Sequence, residues 1–209
     1  MIINSNRGRY LLSTVAYTVL FPFSMQAQQT KPQLLKESAN WAFERFTLPP
    51  SFAPAFSYKG AEELRFSPGM FNKNAIDYFT YAFVAQLDSV TGLSREDIKN
   101  YLLDYFKGLC SSTAHDRKLV IDISALTVDL RRKNNTTGDE IIYNALLNIF
   151  GVFADGAPVK LRMEVKVLTD TVSAKTYLVF IASPHEKTNE AWKELYQVQK
   201  DFTFPENNE

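Results

Sequence analysis

The chain has 209 residues, 45% of them hydrophobic and 13% aromatic, with 23 basic and 23 acidic side chains. A balance this even gives no electrostatic basis for holding nucleic acid or an anionic membrane surface. The lone cysteine, Cys110, excludes an intramolecular disulfide, so apolar packing has to supply the stability.

Residues 1–27 read as a secretory signal peptide. Arg7 and Arg9 form a basic start with no acid nearby, residues 10–23 (YLLSTVAYTVLFPF) are mostly apolar, and Ser24-Met25-Gln26-Ala27 places a small residue at the cleavage position. The apolar run is shorter than the about 20 residues that span a bilayer. It is also interrupted by Ser13, Thr14, Thr18 and Pro22. No cysteine follows it to carry a lipid anchor. The expected destination is periplasmic or extracellular, with no membrane span in the mature chain. Beyond the signal, the sequence divides into a polar, partly mobile lead-in (28–40), one domain (41–205) and a polar tail (206–209).

Trp41, Phe43 and Phe46 begin the apolar content. Residues 48–56 (LPPSFAPAF) hold three prolines, which deny a helix interior and predict an extended strap with Phe52 and Phe56 laid over the core. A short strand is expected over 62–66, broken by Ser67-Pro68-Gly69. Over 77–87, Phe79, Tyr81, Phe83, Ala85 and Leu87 alternate as one face of a strand, with Tyr78, Thr80, Val84 and Gln86 on the other.

The clearest helix is 94–109. Ser94 and Asp97 form a variant capping box, and Ile98, Tyr101, Leu102, Tyr105, Phe106 and Leu109 form an apolar stripe suited to a sheet. Gly108 is placed to help end it, with Cys110 following as a packed thiol. Residues 118–131 read as a long strand that changes phase. Leu119, Ile121 and Ile123 lie on one parity and Leu126, Val128 and Leu130 on the other, which predicts a bulge or break near Ser124-Ala125. The polar stretch 131–139 contains Asn134-Asn135-Thr136-Thr137, two overlapping glycosylation sequons that matter only in a eukaryotic secretory pathway.

Residues 141–153 fit both periodicities. The Asp155-Gly156 turn, followed by the clean alternation of Val159, Leu161, Met163, Val165 and Val167, favours a hairpin and therefore a strand. Residues 175–183 (KTYLVFIAS) are apolar on both parities, as in a central strand covered on both faces. Thr188 or Asn189 caps a last helix carrying Ala191, Leu195, Val198 and Phe202. The expected fold class is α+β, a largely antiparallel sheet with two amphipathic helices packed on one face.

Signatures of chemistry are sparse. The sequence has no phosphate loop, dinucleotide glycine pattern or nucleophile elbow. Its two histidines, His115 and His185, lack zinc spacing, and no acidic loop fits calcium. Cys110, His115 and Asp116 lie close in sequence and His185 follows Ser183-Pro184, so a Cys–His nucleophile oriented by an acid is chemically valid. The competing reading is a polar loop after the helix, with His115 and Asp116 solvated. On the strand over 62–66, Glu63 and Arg65 share a face as a neutral or slightly stabilising pair. Glu62 points the other way, which argues against a paired-carboxylate hydrolase. No catalytic, cofactor-binding or metal-ligating residue is assigned, and no cofactor is expected.

The chain resembles a family of uncharacterised exported bacterial proteins. The likeness is carried by Leu48-Pro49-Pro50 with Phe52-Ala53-Pro54, Gly60 with Glu62-Glu63-Leu64-Arg65-Phe66, and Pro68-Gly69-Met70-Phe71. It continues through Asp77-Tyr78-Phe79 with Tyr81-Ala82-Phe83, Tyr105 with Gly108-Leu109, and Ala182-Ser183-Pro184 before Trp192. The resemblance implies export and a shared fold, and no activity. The expected function is thus an exported soluble domain, non-enzymatic, binding an unknown protein or small ligand. The alternative is an exported thiol-dependent hydrolase using Cys110 with His115 or His185.

Overall fold

The computed structural model describes residues 34–36, 40–134 and 141–205. The expected signal peptide (1–27), all but Asn134 of the sequon stretch, and the tail 206–209 lie outside the described residues. In chain order the elements are β1 (Ala42–Leu48), β2 (Gly60–Phe66), β3 (Tyr81–Asp88), α1 (Arg95–Arg117), β4 (Thr127–Arg132), β5 (Ile141–Phe150), β6 (Pro158–Asp170), β7 (Lys175–Ser183) and α2 (Glu190–Lys200).

The strands form one seven-stranded sheet in the order β1-β2-β3-β7-β6-β5-β4, antiparallel at every pairing. A first meander runs through β1, β2 and β3, and α1 then carries the chain across one face to the far edge. A second meander returns through β4, β5 and β6, and β7 closes against β3 with Tyr81 opposite Ala182. This places 175–183 at the centre of the sheet, where its two apolar parities predict it.

Both faces of that centre are buried. Leu178, Phe180 and Ala182 join Tyr81, Phe83 and Ala85 beneath Ile98, Tyr101, Leu102, Tyr105 and Phe106 of α1. Tyr177, Val179 and Ile181 join Ala82 and Val84 beneath Trp192, Leu195 and Val198 of α2. The α+β class and the antiparallel sheet stand, but the helices pack on opposite faces rather than on one. The reason is strand alternation: a strand apolar on both parities presents two stripes, and each requires a cover.

The capping box forms with both of its arms, Ser94 and Asp97. The helix runs past its expected end at Leu109 and stops at Lys118, in the left-handed conformation with φ 57°. Gly108 is therefore inside the helix, and packing explains it. A Cβ there would lie 2.7 Å from both the Ala53 side chain and the Phe52 carbonyl oxygen. These belong to the segment 49–59, the loop that joins β1 to β2 and crosses α1 at Gly108. The loop is folded rather than extended. Ala53 N–H donates to the Pro50 carbonyl and Phe56 N–H to that of Ala53, each at 3.0 Å.

The phase change near Ser124-Ala125 is a break, a single 3-10 turn over Ile123–Ala125 capped by Asp122. Before it, Leu119, Ile121 and Ile123 are partly buried against the α1-side core; after it, Leu126, Val128 and Leu130 are buried in that core. Strand β1 forms where only scattered aromatics were legible. In the stretch read as a polar lead-in, Leu34 and Leu35 are buried, and Leu35 bridges to Phe202 after α2. Two consecutive leucines dock there, so that part of the lead-in is structural.

Replacing Gly108 tests the close approach of loop and helix. Helix propensity alone would make Gly108→Ala stabilising by about 1 kcal/mol. Overpacking against Ala53 and Phe52 opposes it with a cost of about 1–3 kcal/mol. The expected outcome in urea denaturation is a lower midpoint, and an unchanged or higher midpoint contradicts the contact.

Candidate functional site

Cys110 is buried on the α1 side of the sheet, its Sγ 3.9 Å from the Phe150 carbonyl oxygen. Burial pushes its thiol up to about 11. His115 and Asp116 belong to the last turns of α1 and are exposed, rather than lying in a loop after it. Five positions along a helix rotate a side chain by about 140°, so His115 points away from Cys110. His185 lies beyond β7 beside α2, where its carbonyl accepts the Trp192 indole N–H at 2.9 Å. The fold therefore keeps the sequence-legible nucleophile set apart.

The three charged residues of β2 go where parity sends them, and all are buried. Glu62 faces α1. The Tyr105 hydroxyl donates to it at 2.7 Å and that of Tyr101 at 3.4 Å. Burial raises its carboxyl to about 8, outweighing the two tyrosine bonds that favour ionisation, and nearby Glu44 adds to the rise. Burial raises Glu44 as well. The hydroxyls of Tyr81, Tyr101 and Tyr105 are held well above their ordinary value, first by burial and then by Glu62.

Glu63 and Arg65 face the other way and form more than a pair. Glu63 accepts Arg45 Nη1 at 2.6 Å and the backbone N–H groups of Leu34 and Leu35 at 3.1 and 3.3 Å. Arg65 donates to the carbonyl oxygens of Leu64 at 2.9 Å, Lys36 at 3.3 Å and Leu35, and its guanidinium lies 4.5 Å over the Phe43 ring. Together they clamp the backbone of residues 34–36 to the sheet. Because most of their partners are main-chain atoms, sequence patterning carries no signal of this role.

A second buried carboxyl on this face is Glu164 of β6. It accepts from Tyr196 Oη at 2.7 Å, from Lys133 Nζ at 3.4 Å and from Lys187 Nζ. Burial alone would raise it, but the hydrogen bonds from Lys187 and Tyr196 and the charges of both lysines hold it below the ordinary value. Beside it a groove of about 430 Å³ runs over β4, β5 and β6, lined by Asp129, Arg131, Asn144, Leu146, Arg162 and Lys187. Arg131 pairs with Asp129 at 2.8 Å. Arg162 donates to the Pro184 carbonyl at 2.7 Å and pairs with Glu186.

Among the described residues, helix α2 and residues 34–36 cover the rest of this face and do not cover the groove. Its charged lining is Arg131, Arg162 and Lys187 against Asp129, and Lys160, Arg162, Glu164 and Lys166 share one face of β6. Sequence reasoning missed this surface, although the polar parity of β6 (Lys160, Arg162, Glu164, Lys166) was its visible trace.

Among the described residues, no group of three or more His, Cys, Asp or Glu side chains is placed to hold a metal ion. No helix among them is long and apolar enough to cross a membrane. No protein-family model, curated protein or solved structure matches the chain.

The buried thiol makes a kinetic prediction. In the folded protein Cys110 should react with a disulfide reagent at pH 8 at least about 100-fold more slowly than in urea. Rapid labelling without loss of structure would show an accessible, activated thiol.

Proposed function

We propose that the protein is an exported, non-enzymatic binding domain that holds an acidic polypeptide segment on the open half of its second sheet face. Export is supported by the three-part order of residues 1–27 and by the resemblance to exported bacterial proteins. The observation that carries the binding reading is the groove over β4–β6, which among the described residues is lined by Arg131, Arg162 and Lys187 against Asp129, with Lys160 on the same face of β6.

The chemistry favours carboxylate partners. Guanidinium and ammonium groups form charge-assisted hydrogen bonds with carboxylates. Lys160 and Arg162 repeat along β6 at the two-residue spacing of a strand, about 6.6 Å. Acidic side chains at alternate positions of an extended peptide have the same spacing. No aromatic ring lines the groove, so a neutral sugar ring has no stacking platform. The hydrolase alternative has no observation in its favour, because burial and helix geometry separate Cys110 from both histidines.

Secretory expression followed by mass spectrometry should return a chain beginning at Gln28, and a full-length chain retained in the cytoplasm contradicts export. Calorimetric titration of that product with poly-L-glutamate should show binding that weakens as salt rises. The Arg131→Glu, Lys160→Glu double variant should lose at least about tenfold in affinity. A control, Arg95→Glu with Lys99→Glu on α1, should not. No binding at low salt, equal losses in both variants, or tighter binding to a sulfated glycan or to DNA overturns the reading.

A further inference from the structure

We propose that loop 49–59 is a lid over α1 whose seating depends on the protonation of Glu62. The lid lies on the face opposite the cation-lined groove, so the two ideas stand independently. Its ends are fixed, because β1 and β2 pair up to Leu48 opposite Gly60. Gly60, at φ 139°, has no room for a side chain, since a Cβ would meet the Gln86 carbonyl oxygen at 1.9 Å. Between these ends the turn bonds of Ala53 and Phe56 are internal to the loop and buried, so they lose their shelter from water when it lifts. Its last residue stays tied to β3 by the Asp88 N–H on the Lys59 carbonyl at 3.0 Å, so lifting residues 49–58 breaks no strand ladder.

The same two rings touch the lid above and the acid below. Phe52 meets Tyr105 edge-on at 5.1 Å, Phe56 meets Tyr101 at 4.7 Å, and Tyr58 meets Tyr101 at 5.6 Å. Tyr101 and Tyr105 then give their hydroxyls to Glu62. Beneath them Phe83 and Phe180 stack at 4.1 Å and close the floor. A shallow groove of about 330 Å³ flanks the lid, lined by Phe52, Pro54, Phe56, Asp104, Lys107 and Gly108.

Ionising Glu62 would place a charge in this aromatic box. The titratable groups around it are Glu44 from β1, Tyr81 from β3, and Tyr101 and Tyr105 from α1. Farther out, Asp97 and Asp104 act on Tyr58 of the lid, and Cys110 acts on Tyr81. The cations on the elements around it, Lys59 at the exposed end of the loop and Lys107 of α1 in the flanking groove, are not among the groups that act on Glu62, so the ionised carboxylate must be relieved by water. The lid is the cover that can move to admit water, while the sheet and α1 cannot.

The sign of the pH dependence follows from linkage. With the lid seated the carboxyl titrates at about 8, and once wetted it returns toward its ordinary value of 4.5. The seated form therefore binds the extra proton between those values. Lid opening grows as pH rises through that window and levels off above about 8. The tyrosine hydroxyls, raised well above their ordinary value, contribute nothing there. Opening would present Phe52 and Phe56 to solvent as a new apolar surface.

Hydrogen exchange on the full chain tests this from pH 5 to 9, using protection factors for the Ala53 and Phe56 amides against the Val179 and Phe180 amides of β7. In the wild type, loop protection should fall at least about tenfold between pH 5 and 8 and then level off, with β7 unchanged. Glu62→Gln, neutral at every pH, should hold a flat, protected profile. If that variant does not fold, Tyr105→Phe removes a donor to the ionised form and should move the levelling-off to higher pH. The proposal is overturned if loop protection tracks β7 or if Glu62→Gln matches the wild type. A Glu62→Gln loop that is open at every pH, or an unmoved Tyr105→Phe profile, overturns it equally.

Discussion

The architecture depends on the double-sided burial of the sheet's centre. Strand β7 carries apolar side chains on both parities, and β3 beside it does the same. A single helical layer could satisfy only one face. The chain meets the demand on one side with α1 and the loop 49–59, and on the other with α2 and Leu34-Leu35. The second cover is smaller. It spans the centre and the β1 side and reaches Glu164 of β6 through Tyr196, and among the described residues it does not cover the polar groove over β4–β6.

Each face then treats a buried carboxyl according to its surroundings. On the α1 face, Glu62 meets rings, hydroxyls and a second acid, Glu44, and desolvation dominates, raising it to about 8. On the other face, Glu164 meets two lysines and a tyrosine, and those partners outweigh desolvation. Glu63, one residue from Glu62, turns to the second face, where Arg45 and two backbone N–H groups hold it. Adjacent glutamates in one strand thus have unlike chemistry because strand alternation sends them to unlike media.

Much of the fold was legible in local pattern. The capping box of Ser94 and Asp97, the stripe of α1, the clean alternation of β6 and the two-sided β7 each follow from periodicity. The break at Ile123–Ala125 follows from the phase change between Ile123 and Leu126. What was not legible depends on partners distant in sequence. Gly108 reads as a helix stop until Ala53 and Phe52 of the loop are seen against it. Glu63 and Arg65 read as an ordinary cross-face pair because their partners include the backbone of residues 34–36. The placement of α2 opposite α1 was implicit in β7, yet it required following each parity to its own cover. The site was less legible than the fold: a nucleophile set close in sequence is separated by helix geometry, and the open cationic face is assembled from three strands and the segment leading into α2.

The central claim is that one sheet keeps a buried carboxyl neutral on its α1 face and ionised on its other face. Titration of the glutamate side-chain carboxyl carbons by NMR in the folded protein reads this directly. The account predicts that Glu62 titrates at about 8 while Glu164 titrates below the ordinary value of 4.5. If both carboxyls titrate together near 4.5, the account is wrong.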